Sequence, residues 1–133
     1  MMIEALYVTD THALFWYLKK DKHLSPEAIT IFEAAERGET RIVISAIVIA
    51  ELYWVNRKQV AFTDFAKLYL DLKSKPFFQI VDFDADSVLE FDSNSAVPEM
   101  HDRMIVGLAK SLDAPLITVD AAITASNTVR VVW

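Results

Sequence analysis

The sequence predicts an α/β fold: a parallel sheet of about five strands flanked by helices, in three layers. Three observations predict it. Short apolar runs of strand length alternate along the chain with stretches of helical period. Three of those runs end in an aspartate, at Asp10, Asp82 and Asp120. Glycine occurs only twice in 133 residues, 53% of which are hydrophobic, which suits packed helices and buried strands rather than a disordered or loop-rich chain. Strands separated by helices need crossover connections, and right-handed crossovers place them in a parallel sheet covered on both faces.

In chain order, the apolar run Ala5 to Val8 reads as the first strand, closing at Thr9 and Asp10, and Thr11 to Lys20 carries the helical pattern that follows it. Pro26 to Arg37 is a second amphipathic stretch. Ile42 to Ile44 is the next strand and leads directly into a helix over Ala46 to Lys58. A helical pattern from Phe62 to Lys73 precedes the third strand, Phe78 to Val81. Ala85 to Asn94 and Met100 to Leu112 read as helices, the second starting just after Pro98. Leu116 to Val119 and Val129 to Val132 complete the strands. No repeat, low-complexity segment or linker interrupts this alternation. A chain of this length is expected to form a single domain, residues 1–133.

The composition removes several chemistries. With no cysteine, disulfides, thiolate zinc sites and cysteine nucleophiles are excluded, and only oxygen or histidine could hold a metal. The N-terminal stretch MMIEALYVTDTHALFW has neither a basic segment before its apolar part nor a small-residue cleavage site, so no secretory signal is expected. The longest apolar run, Ile42 to Val55, is broken by Ser45 and Glu51 and is shorter than the ~18 residues of a membrane span. A cytoplasmic protein is expected. The net charge of -6 opposes non-specific attraction to phosphates; part of it would be clustered at a metal site, and local cations remain at Lys19, Lys20 and Lys22 and at Arg57 and Lys58.

Ligands of an open parallel sheet bind beyond the carboxyl ends of its strands. ALYVTD delivers Asp10 to that edge and LITVD delivers Asp120. Either could equally serve as a helix cap or turn former. Asp82, followed by Asp84 and Asp86, reads as a solvated turn. Glu51 shares a helix stripe with Val48, Leu52 and Val55, so its carboxylate points with the apolar face. Such a group must meet a cation, accept hydrogen bonds or become protonated. Asp102 opens a similar stripe with Ile105, Val106 and Ala109; the helix dipole supplies a structural alternative for it. If the four acids converge, they form a concentrated negative site of hard oxygen ligands suited to Mg²⁺ or Mn²⁺, and thus to phosphodiester hydrolysis. His12, His23 and His101 have no metal-ligand spacing and read as structural or solvated. Ser45, Thr11 and Thr118 could donate hydrogen bonds at the site, although capping explains Ser45 and Thr11 as well.

With these residues placed, the chain resembles a PIN domain, and within that family the VapC-like toxins of toxin-antitoxin pairs. The matching stretches are VTDTHALFW, ISAIVIAEL, PEMHDRMIVGLAK and APLITVD, in that order across nearly the full length. The resemblance implies a PIN-like sandwich, endonucleolytic cleavage of RNA, and catalytic metal ligands at Asp10, Glu51, Asp102 and Asp120. It also implies a homodimer and inhibition by a small antitoxin protein. Two other enzyme or binding classes compete: a stand-alone nuclease of the same type, and a non-catalytic interaction module using Tyr53, Trp54, Phe62, Phe65 and Tyr69 as an apolar surface. An aspartyl-phosphate mechanism at Asp10 is disfavoured, because the second aspartate expected two positions later is replaced by His12.

Overall fold

The computed structural model describes residues 5–133; the first four residues, part of the stretch read for a secretory signal, lie outside them. The strands are β1 (Ala5–Thr9), β2 (Thr40–Ser45), β3 (Phe78–Val81), β4 (Leu116–Ile117) and β5 (Val131–Val132). The helices are α1 (Thr11–Leu18), α2 (Pro26–Glu36), α3 (Ala46–Gln59), α4 (Phe65–Ser74), α5 (Met100–Ser111) and α6 (Ala121–Ser126). All strand pairs are parallel, in the order β3-β2-β1-β4-β5, so the five-stranded, helix-flanked sheet expected from the sequence is the one observed.

Burial explains why the apolar runs became strands. Ile42, Val43 and Ile44 of β2 are consecutive and all buried, which requires cover on both faces of the sheet. Phe15 of α1, Phe32 of α2, Leu52 of α3, Ile105 of α5 and Ile123 of α6 supply that cover and are essentially inaccessible. Each such side chain contributes about 1.5–3 kcal/mol relative to exposure. Most helix starts carry a side-chain cap: Ser25, with Pro26 behind it, accepts from the Ala28 N–H at 3.1 Å, and Asp64 accepts from the Lys67 N–H at 3.1 Å, satisfying donors that the helix itself leaves open.

Three local expectations change. Ala85 to Asn94 is not an α-helix but two 3-10 segments, Ala85–Glu90 and Asp92–Asn94. Local bonds from side chains to backbone compete with the α-helical ladder there: Asp84 accepts from Ser87 N–H, and Ser93 Oγ donates to the Glu90 carbonyl. The strand read over Leu116 to Val119 pairs only at Leu116 and Ile117 before the chain turns towards Asp120. Helix α6 is absent from the sequence reading, because AAITAS offers one buried apolar residue and no helical period. No helix among the described residues is long and apolar enough to cross a membrane.

The topology defines a crevice. The chain enters at β1 in the middle, builds outward through β2 and β3, then returns through α5, which packs on β1, to lay β4 on the other side. Connections leaving β1 and β4 therefore diverge, and a sheet of this kind binds ligands at the carboxyl ends of the two strands where the order reverses.

Candidate active site

Asp10 and Asp120 follow the two strands that flank this reversal. Backbone pairing carries on past β1, with Asp10 N–H donating to the Ile117 carbonyl at 3.1 Å, and so brings Asp10 beside Thr118. The buried Thr118 hydroxyl donates to Asp10 Oδ2 and accepts from the Asp120 N–H at 3.0 Å. One hydroxyl thus ties the two strand ends together. Both aspartates also cap helices: Asp10 Oδ1 accepts from the Ala13 N–H at 2.9 Å and Asp120 Oδ1 from the Ile123 N–H at 2.8 Å. Capping and presentation at the crevice are compatible, since each carboxylate oxygen has two lone pairs.

Glu51 reaches the same crevice from the second turn of α3. It is half-buried rather than enclosed, with 29% of its side chain exposed. Its Oε1 accepts from the buried Thr11 hydroxyl at 2.6 Å, and its Oε2 lies 3.6 Å from His101 Nδ1. The requirement for partners inferred from its stripe position is met by a hydroxyl and an imidazole, not by an arginine. Asp102, in the first turn of α5, is the fourth member.

Electrostatics put the other three acids within reach of Asp102. Burial pushes the Asp102 carboxyl up to about 6, and the charges of Asp120, Glu99, Glu51 and Asp10 push in the same direction. The helix dipole should favour its ionised form, so desolvation and crowding outweigh it. Burial also raises Asp10, against the hydrogen bonds from Thr118 and Ala13 and the nearby His12, while Asp120 adds to the rise. Among the described residues no three carboxylate or imidazole side chains are drawn into a ready-made metal-holding group. The donor set nevertheless fits a hard divalent cation: carboxylate oxygens facing one crevice, destabilised by mutual repulsion that such a cation relieves.

Two residues join this neighbourhood without having been assigned to it from the sequence. Glu99 caps α5, accepting from the Asp102 N–H at 2.8 Å, and its Oε1 lies 3.3 Å from His101 Nδ1. Its spacing of three before Asp102 was the available signal. His101, read as structural or solvated, bridges Glu99 and Glu51. Thr11 and Thr118 both donate to site acids, whereas Ser45 is a cap, accepting from the Ile47 N–H at 3.2 Å. Asp82 is exposed at the end of the edge strand β3 and stands apart from the four. A groove of about 590 Å³ between α1, α2 and α4 contains none of the four acids.

Comparison with known proteins agrees with this architecture. The family model described as the PIN domain matches residues 7–125. No curated protein matches the chain in sequence. Among solved structures, VapBC2 from Rickettsia felis bound to a DNA fragment from their promoter is similar with a TM-score of 0.69 at 19% identity, over 96% of this chain and 98% of that one. DNA-bound VapBC from Salmonella typhimurium gives a TM-score of 0.64 at 17% identity, over 98% of both chains. A toxin-antitoxin complex from Klebsiella pneumoniae gives 0.58 at 18% identity, over 98% and 97%. At these identities the likeness is one of fold.

Proposed function

Because this chain belongs to the PIN domain family, we propose that it is a metal-dependent endoribonuclease, the toxin of a toxin-antitoxin pair. In this reading residues 1–133 act as one PIN-like domain, cytoplasmic and homodimeric, held in check by a small antitoxin protein. PIN domains are nucleases, and the fold likeness to toxin-antitoxin complexes that this chain covers almost end to end supports the toxin role. What supports the nuclease reading is that Asp10 and Asp120 are tied together by Thr118 at the crevice between β1 and β4, and that their charges and that of Glu51 act on Asp102.

Those four residues would hold Mg²⁺ or Mn²⁺. When bound, the ion supplies Lewis-acid polarisation of the scissile phosphate and eases deprotonation of the attacking water. The chain's own work is orientation. Thr118 fixes the rotation of Asp10 and the backbone entry to Asp120; Thr11 fixes Glu51. Caps on α1 and α6 leave the two aspartates little rotameric freedom. Asp102 must release its proton before it can act as a ligand, so metal affinity should weaken as pH falls through about 6.

Purified protein incubated with mixed RNA should cut it internally with Mg²⁺ or Mn²⁺ and leave it intact in chelator. No cleavage with either ion would overturn the enzyme reading in favour of an interaction module.

A further inference from the structure

Beside the acids lies a group of aromatic rings that the proposed chemistry does not use. Trp16 stands 5.6 Å from His12, 5.8 Å from Trp133 at 61°, and 5.3 Å from His23 in a stacked arrangement at 28°. Both indoles pack against the core yet stay only partly covered, and both imidazoles are exposed.

The group adjoins the crevice through the backbone. His12 is two residues beyond Asp10 on α1, near enough to act on its charge. Trp133 follows Val132, whose carbonyl accepts from the Thr118 N–H at 3.2 Å, and the Thr118 hydroxyl in turn holds Asp10. At the far side, after α1, Lys20 and Lys22 are exposed beside His23. An acidic chain thus places exposed cations, two exposed imidazoles and two partly covered indoles together, a short way along the backbone from its carboxylates. That combination suits single-stranded nucleic acid, whose bases stack on aromatic rings while cations follow the phosphates.

Resting on the nuclease reading, we propose that His12, Trp16, His23 and Trp133 form a stacking ledge for an RNA base adjacent to the scissile phosphate. The ledge holds the strand so that the neighbouring phosphodiester faces the acids. Because every base has a π-face, it favours unpaired RNA over duplex without fixing a sequence.

The test uses the Trp54→Phe protein, which leaves Trp16 and Trp133 as the emitting indoles, with Ca²⁺ as counter-ion to the carboxylates. A single-stranded RNA decamer should quench the emission, whereas a decamer of the same length with abasic positions should not. Loss of one stacked base corresponds to affinity on the order of tenfold weaker. His12→Ala, at an exposed position, and Trp133→Leu should each lose about that factor, with Trp133→Phe recovering most of it. Wild-type protein that cuts RNA, yet binds both decamers equally and without quenching, would overturn the ledge and leave the nuclease reading standing. Protein that neither binds nor cuts RNA would remove both.

Discussion

Asp10 cannot be considered apart from Thr118, whose hydroxyl is both its donor and the acceptor for Asp120 N–H. Thr118→Val keeps the shape and deletes this link. It should cost about 1–3 kcal/mol in denaturant unfolding, because a buried donor and acceptor lose their partner, and lower the cleavage rate by roughly 10–100-fold, the usual effect of removing a group that orients a metal ligand. Glu51 separates charge from hydrogen bonding. In Glu51→Gln the amide oxygen can still accept from Thr11, so melting in chelator should stay near wild type while cleavage and stabilisation by Mn²⁺ are lost; a marked fall in chelator with cleavage intact would make Glu51 structural. Asp102 sets a pH dependence. Its folded carboxyl keeps its proton up to about 6 against an ordinary value of 3.8, so between those values the native state binds more protons than the unfolded chain. Its contribution is full below the lower value and is lost as pH rises through the upper one. Metal-free protein should therefore lose this contribution between pH 4 and 6, and Asp102→Asn should show a flatter profile in parallel thermal melts. An identical slope in both proteins would contradict the assignment.

At the scale of elements, what positions Asp102 is the start of α5. Arg103 reaches back from the next residue, its Nε donating to the Val97 carbonyl at 2.5 Å and its Nη2 to the Ser95 carbonyl at 3.3 Å, while Glu99 caps the helix. Arg103→Met should remove both bonds and cost about 1–3 kcal/mol in urea unfolding. Cleavage should fall as well, although Arg103 is not among the four acids; unchanged stability and activity would show that α5 needs no such anchor. The sequence made this helix legible because Asp102, Ile105, Val106 and Ala109 share a stripe, and the last three are buried as that stripe requires. Strands β1, β2 and β3 were legible for the same reason of local burial. The 3-10 segments and α6 were not: there the conformation follows from side-chain bonds to backbone and from capping by Asp120, neither of which leaves a periodic apolar signature. Nor could the sequence pair His101 with Glu51, since that contact spans two helices brought together only by the fold.

The whole molecule leaves apolar surface on the side of α3 and α4. Trp54 is 59% exposed and lies against Tyr53, which packs edge to face on Phe65; Leu70 on α4 is 62% exposed. That surface is the proposed dimer face, since side chains of this size are more often covered in assemblies than left open. Light scattering should give twice the 15.1 kDa chain mass at micromolar concentration, and Trp54→Glu should return it to the monomer value; wild type that scatters as a monomer throughout would refute the dimer. The strand order makes the larger claim, because it is the reversal between β1 and β4 that brings Asp10 and Asp120, from opposite ends of the chain, side by side at the crevice where the metal site is proposed. Of all measurements, the rate of cleavage of a single-stranded RNA by wild type, Asp10→Asn and Asp102→Asn at saturating Mn²⁺ bears most directly on that claim. Both variants should keep the wild-type circular dichroism and lose at least about 10²-fold in rate, as expected when charge that steadies a transition state is removed. Either folded variant cutting at the wild-type rate, or wild type cutting equally well in chelator, would contradict a metal site built from these acids.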